Sequence, residues 1–278
     1  MKLYRFEDAI AFHDRTQPYL LQHEAQQYVL LSFIKALIKF PERYSEPPYL
    51  AIVEEHGKTV AIAVRLFSQH LVLSVIPNLS AVQLIVDDLY AVNRTLLGVS
   101  GIVNEAQAFA TAWTMRSGQS YHLKVQLRFY QLDAVRPVSG VKGHLRLAEE
   151  SERSLLIEWF EAFCQVVIVE GSETAEQRVA SQLSQRALYI WQDQVPVSLV
   201  GISRTVSGNG MVRSVYTPPE HRRNGYASAS VAAVSQILLD QGCRSCYLST
   251  NLKNSTSNHI YKTVGYQPVC DWHRYTFE

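Results

Sequence analysis

A chain of 278 residues is long for one compact α/β domain and suits two of ordinary size, each able to bury its own core. Hydrophobic residues at 47% and charged ones at 18% exclude an extended disordered chain. The formal charge of +1, from 26 basic and 25 acidic side chains, provides no field that would recruit nucleic acid or an anionic membrane, so neither is expected as a partner. The opening Met1 to Asp8 has no apolar stretch of signal-peptide type, and Lys35 and Lys39 interrupt the most apolar early run, Val29 to Phe40. No membrane span and a cytoplasmic setting are therefore expected. Four cysteines at this length make no disulfide framework. Cys243 and Cys246, three apart in a predicted strand, face opposite sides, and His259 and His273 lack partners at metal-ligand spacing, so no metal is expected.

Along the chain, apolar residues at Tyr19, Leu20, Val29, Leu30, Phe33, Ile34, Leu37 and Ile38 predict helix up to Pro41. Strands are predicted at Leu50 to Val53, Val60 to Phe67 and Leu71 to Ile76, with His56-Gly57-Lys58 as a turn. Helices follow at Ala81 to Leu96 and Val103 to Arg116, then an alternating strand at Tyr121 to Leu132. The pattern dissolves into turn formers from Arg136 to Gly143, which places the boundary between a first domain, 1–137, and a second, 143–278. The second domain reads as a strand at Leu145 to Leu147 and a helix at Glu150 to Phe163 with Leu155, Leu156, Trp159 and Phe160 on one face. A further helix at Glu173 to Arg186 and strands at Leu188 to Trp191, Pro196 to Arg204 and Met211 to Tyr216 come next, the last two joined at Ser207 to Gly210. A helix at Gly225 to Leu239, a strand at Ser245 to Thr250, a helix at Ser255 to Val264 and a final β pair, Tyr266 to Pro268 and Trp272 to Phe277, complete it.

The segment Val215 to Ala227 carries the chemistry. It runs from a strand through Thr217-Pro218-Pro219 into a helix of small residues. A helix N-terminus presents unpaired N–H groups and about half a positive charge, and Gly225 and Ala227 let a pyrophosphate approach the backbone. Arg222 and Arg223 add cationic donors. Gly-x-Ala alone would equally suit an ordinary strand-to-helix turn.

Arg222-x-x-Gly225-x-Ala227 resembles the Arg/Gln-x-x-Gly-x-Gly/Ala signature of the GNAT acetyltransferase superfamily. Asn254-Ser-Thr-Ser257-Asn-His-Ile260-Tyr261-Lys-Thr-Val-Gly265-Tyr266 is similar to a second family pattern, in which an Asn precedes a helix, a Tyr closes it and Gly-Phe or Gly-Tyr opens the next strand. Upstream, Gly98-Val-Ser-Gly101, Phe109-Ala-Thr-Ala-Trp113 and Tyr130-Gln-Leu-Asp133-Ala-Val135 resemble the first half of two-domain GNAT proteins, whose first domain is degenerate. The first half here lacks the phosphate signature, so one cofactor site per chain is implied. The resemblance implies an α/β (α+β) fold of tandem GNAT-like domains, each a mixed, mostly antiparallel sheet flanked by helices. Arg223-Asn224 departs from the family, which often carries Arg or Gly followed by Arg or Lys there, so one phosphate-facing cation is missing.

By this resemblance acetyl-CoA is the acyl donor and an amine, of a small molecule or a peptide, the acceptor. Backbone amides of Val215, Tyr216 and Thr217 would hold the pantetheine arm. Arg222, Arg223, Asn224, Gly225, Tyr226, Ala227 and Ser228 would cradle the pyrophosphate. Plain β pairing is the other reading of the strand, against which the two prolines argue, since neither can donate to a ladder. Asn254 is read either as a cofactor ligand or as a helix N-cap. Tyr261 is the candidate general acid toward the departing thiolate, its alternative being a core tyrosine. Glu170 and His221 are candidates for the base, beside water or a backbone carbonyl. Tyr130, Trp159, Phe160 and Phe163 read as core, as a domain interface or as part of an acceptor pocket. Two other functions fit: a non-catalytic acyl-CoA-binding regulatory module, and an interaction scaffold.

Overall fold

The computed structural model describes residues 1–44, 46–66, 70–92, 95–166 and 173–278. By its own contacts the chain divides into unit 1, Met1–Phe129 with Val269–Glu278, and unit 2, Tyr130–Pro268. The division falls before the turn-rich stretch 136–143 at which the composition changes. The reason is packing: Val138 and Val141 lie against Trp191, Val197 and Ala229, all in unit 2.

Unit 1 opens with β1 (Lys2–Phe6), α1 (Ala9–Gln22) and α2 (Glu24–Lys39). Helix α1 starts where the Asp8 carboxylate accepts the amides of Ile10 and Ala11 at 2.7 and 2.8 Å. It begins well before Tyr19, the first residue of the predicted pattern. Then come β2 (Tyr49–Glu55), β3 (Lys58–Arg65), β4 (Leu71–Leu73), α3 (Ser80–Val92), β5 (Gly98–Ile102), α4 (Val103–Ser117) and β6 (Tyr121–Leu132). Strands β1 to β4 form an antiparallel meander, β4 runs parallel to β5, and the last strand of the chain, β12 (Gln267–Phe277), pairs antiparallel to β5. That last strand is continuous where a β pair is expected: it pairs with β5 from Trp272 to Thr276, and Asp271, between the two expected strands, accepts the Arg128 guanidinium at 2.7 and 2.9 Å. Trp113, Phe109, Ile85 and Leu89 of the two helices pack with Ala51, Ala63, Val99 and Tyr275 of the strands into one core.

Unit 2 contains β7 (His144–Leu147), α5 (Arg153–Val166), α6 (Ala175–Ser184), β8 (Leu188–Asp193), β9 (Val195–Arg204), β10 (Gly210–Tyr216), α7 (Tyr226–Asp240), β11 (Cys246–Asn251) and α8 (Ser255–Val264). Strands β7 to β10 are antiparallel neighbours and β11 runs parallel to β10. The period of two divides β8 cleanly. Leu188 and Ile190 join the α5–α6 cluster around Leu156, Trp159 and Phe160, whereas Tyr189 and Trp191 pack on the α7 side. The sheet is therefore covered by α5 and α6 on one face and by α7 and α8 on the other. This mixed, mostly antiparallel, helix-flanked arrangement is the one expected. Tyr130 belongs to the α7–α8 cluster and Trp159, Phe160 and Phe163 to the other, so these four aromatics are not one group. Cys243 precedes β11 rather than lying in it, and both it and Cys246 are buried free thiols; burial pushes the Cys246 thiol up to about 12. Among the described residues no helix is long and apolar enough to cross a membrane.

Candidate active site

The site starts from a failure of pairing. Strands β10 and β11 are in register only at Gly210↔Cys246 and Met211↔Tyr247, although β10 continues to Tyr216 and β11 to Asn251. Beyond Met211 the β11-facing backbone of β10 has no ladder partner, which opens a wedge between two parallel strands. A β-bulge deepens the distortion: Arg213 pairs with Gly201 and Tyr216 with Leu199, so β10 carries one extra residue, with Ser214 at φ +52°. The bulge is held on its far side by Ser198. This fully buried hydroxyl donates to the Tyr216 carbonyl at 3.1 Å and lies 2.9 Å from the Thr217 hydroxyl. Tyr216 packs against Trp159, the rings tilted at 54° with centroids 6.3 Å apart.

From Thr217 the chain turns through a short 3-10 segment, Pro219–His221, into α7. The Arg222 Nε donates to the Thr217 carbonyl at 2.9 Å, and the Asn224 amide donates to the carbonyls of His221 and Arg222 at 3.1 and 3.2 Å. Arg222 and Asn224 thus build the turn, leaving the guanidinium edge of Arg222 and the exposed Arg223 as its cations. Arg223 at φ +66° and Gly225 at φ +82° are both left-handed. Gly225 is the N-cap of α7 and brings no side chain to it, and the first intrahelical bond runs from the Ala229 amide to the Gly225 carbonyl at 3.0 Å. The amides of Tyr226, Ala227 and Ser228 are consequently the helix's orphan donors, at its positive end. Beside Gly225 stands Val141, whose Cγ2 would lie 2.8 Å from an added Cβ. The Tyr226 hydroxyl donates to Asp193 at 2.6 Å.

On the other side of the wedge, β11 passes into α8. Asn254 is the N-cap, its side chain accepting the Ser257 amide at 3.0 Å, so the capping reading of this residue is realised. Tyr261 is buried among Tyr130, Val264 and Tyr266. Burial pushes its phenol up to about 12, against a hydrogen bond with Ser257 that lowers it and the neighbouring Tyr130 that raises it. The phenol is protonated at neutral pH and available only as a donor or a packed ring. His221 is half-buried in the 3-10 turn; Glu170 lies outside the described residues.

Sequence reasoning missed Ser198, Val141, Ser257 and Asn258. Of these Ser198 left a signal, as a polar residue inside the apolar run Val197 to Val200.

Residues 153–266 match the model of the acetyltransferase (GNAT) family. The thialysine N-epsilon-acetyltransferases of Sus scrofa and Bos taurus are each 30% identical over 73 residues, 25% of this chain and 43% of theirs. The chain thus spans less than half the length of these curated relatives. An acetyltransferase of the GNAT family from Colwellia psychrerythraea superposes with a TM-score of 0.62 at 12% identity, covering 100% of both chains. A Drosophila protein does so at 0.63 and 10%, over 99% of this chain and 98% of its own. A tandem GNAT protein from the clavulanic acid biosynthesis pathway reaches 0.53 at 11%, over 100% and 98%. At these identities the superpositions establish the fold alone, and the similarity to the acetyltransferase (GNAT) family lies in residues 153–266.

Proposed function

We propose that unit 2 is an N-acetyltransferase that moves the acetyl group of acetyl-CoA directly to an amine. The observation that carries this reading is the conjunction of an open wedge between β10 and β11 with an uncapped helix, α7, following directly from the wedge's strand. The backbone of Val215, Tyr216 and Thr217, which has no ladder partner in β11, suits a pantetheine arm, since an amide-bearing chain laid along that side of β10 replaces the missing partner. The amides of Tyr226, Ala227 and Ser228, with Arg222, Arg223, Asn224 and Gly225 around them, suit a pyrophosphate. Asn254 serves first as the α8 cap and meets the donor only through its remaining amide group. When bound, acetyl-CoA supplies an acyl carbon activated by its thioester. The acceptor amine attacks that carbon, the C–N bond forms, the C–S bond breaks, and the amine's surplus proton passes to water. Tyr261, protonated in its buried site, donates a strong hydrogen bond or its proton to the departing sulfur; where it gives the proton, the phenolate regains one through water from that released by the amine. Unit 1, Met1–Phe129 with Val269–Glu278, is a GNAT-like domain without a phosphate site.

The test is acetyl-CoA-dependent thiol release against a panel of small amines and amine-terminated peptides, thialysine included on the strength of the relatives. Turnover with at least one amine is expected, reduced in Tyr261→Phe by about 10² to 10⁴ with little change in acetyl-CoA KM. Binding of acetyl-CoA with no turnover across the panel would favour a non-catalytic acyl-CoA module. Absence of binding would remove the assignment altogether.

A further inference from the structure

We infer that Tyr130 and Asn258 form a positioning pair that sets the place of the Tyr261 phenol; this rests on the catalytic reading of Tyr261. The two residues are 128 positions apart in sequence, yet the Tyr130 hydroxyl donates to the Asn258 Oδ1 at 2.6 Å. The two N–H groups of the Asn258 Nδ2 are shared among three carbonyls, of Asn254 at 2.7 Å, Asn251 at 3.0 Å and Leu252 at 3.3 Å. One amide side chain therefore ties the end of β11, the turn after it and the cap of α8 together. Asn258 and Tyr261 are three apart on α8 and so share a face. Tyr130 touches both: its hydroxyl holds Asn258 and its ring leans on Tyr261, centroids 5.9 Å apart at 58°. With 1% of its surface exposed, Tyr130 has no room to swing away. Tyr266 closes the opposite side of Tyr261 at 6.1 Å.

This arrangement differs from a mere core hydrogen bond in what it controls. Asn258 fixes the β11–α8 turn to the helix bearing the proposed acid, whose phenol is hydrogen-bonded to Ser257 one residue before Asn258. A small rotation of α8 about its first turn would shift Ser257 and the Tyr261 hydroxyl together. The Tyr130 hydroxyl, through Asn258, opposes that rotation. Tyr130 and Asn258 make no contact with reacting atoms in this scheme.

A double-mutant cycle on the full chain tests it, with Tyr130→Phe, Tyr261→Phe and the double variant compared by thiol release, and acetyl-CoA affinity measured separately by calorimetry. Tyr130→Phe is expected to lower kcat about threefold to tenfold, with KM for acetyl-CoA within about twofold. In the Tyr261→Phe background the same change should have almost no effect, because there is no hydroxyl left to position. Asn258→Asp provides a second variant that keeps an acceptor for Tyr130 while setting a charged oxygen against three carbonyls. It should reproduce the loss in kcat with acetyl-CoA affinity retained. Additive effects of Tyr130→Phe and Tyr261→Phe, or a Tyr130→Phe effect seen only in acetyl-CoA affinity or melting temperature, would overturn the positioning role. Should Tyr261→Phe alone turn over like the wild type while acetyl-CoA still binds, the catalytic reading of Tyr261 fails and this inference with it.

Discussion

Replacing Gly225 by valine is the sharpest probe of the phosphate cradle, because the structure separates its effect on folding from its effect on binding. Gly225 sits at φ +82°, where a residue with a Cβ costs about 1 to 2 kcal/mol. The new Cβ would lie 2.8 Å from the Val141 Cγ2, a movable methyl, so relief by a small side-chain shift keeps the crowding near about 1 kcal/mol. A stiffer unfolded chain returns roughly 0.4 to 1 kcal/mol. The unliganded variant should therefore lose about 1 to 2.5 kcal/mol, a Tm lower by about 2 to 10 °C at roughly 2 to 4 °C per kcal/mol. The wild type, with acetyl-CoA at about a hundred times Kd, should gain roughly 2.7 kcal/mol, or about 5 to 10 °C. That gain should vanish in Gly225→Val, if the pyrophosphate approaches the helix start beside Gly225, because the branched side chain takes up space there that glycine leaves open. Gly225→Ala carries the same backbone strain without the two methyls and should retain part of it. Thermal melts of all three proteins, with and without acetyl-CoA, give both quantities in one experiment. A valine variant that melts lower on its own yet keeps the full acetyl-CoA shift would refute the placement of the pyrophosphate at this helix start.

Calorimetric titration of the full chain is expected to give one acetyl-CoA per chain, abolished entirely by Gly225→Val; a second site surviving that substitution would contradict the proposal that unit 1 binds none. Acid stability should carry the mark of Glu152, whose carboxylate accepts both Arg146 Nη groups at 2.8 and 2.6 Å. The Arg146 hydrogen bonds hold its pKa below the ordinary glutamate value, so this contribution is complete above that value and is lost as the pH falls through the depressed one. Urea denaturation from pH 7 to pH 3 should show a shallower loss of stability below about pH 4 in Glu152→Gln than in the wild type, and equal slopes would remove the pair from the acid response.

The elements that were legible in the sequence are those whose local signals agree. Strand β6 was readable to the residue from its alternation. Helix α8 was readable because Asn254 caps one end and Gly265, at φ +113°, closes the other. Strand β1 was not legible, since Lys2–Phe6 has no fully buried position to mark an apolar face. Strand β5 was hidden by Gly98 and Gly101, which read as turn formers although the strand is almost wholly buried. At the site, Val215 to Ser228 could be recognised as one contiguous segment because the residues that build the turn are neighbours in the chain. The bulge at Ser214 and its support from Ser198 depend on a strand pairing that no local pattern encodes. The link from Tyr130 to Asn258 depends on which strand comes to lie beside α8.

The two units also explain, by their differences, why only one is assigned a donor site. In unit 1 the parallel pair β4 and β5 is in register only at Leu71↔Val99 and Val72↔Ser100, the same two-residue contact that opens the wedge between β10 and β11. The side chains at the start of the following helix differ. Glu105, third residue of α4, turns a buried carboxylate onto the Ile76 amide at 3.2 Å, just beyond β4, whereas Ser257, third residue of α8, is a short hydroxyl engaged with Tyr261. A carboxylate already bonded to that amide competes with any incoming acyl or pantetheine carbonyl, and its negative charge disfavours a phosphate nearby. The helix that follows β4 is treated in the same way: Asn78 accepts the Ser80 amide at 3.2 Å and the Ser80 hydroxyl as well, so side chains meet the start of α3 where α7 has only Gly225. Each difference satisfies with the chain's own atoms a backbone donor that unit 2 leaves open. An open donor set is costly unless a ligand completes it, and among the described residues the start of α7 receives no capping side chain where the start of α3 does.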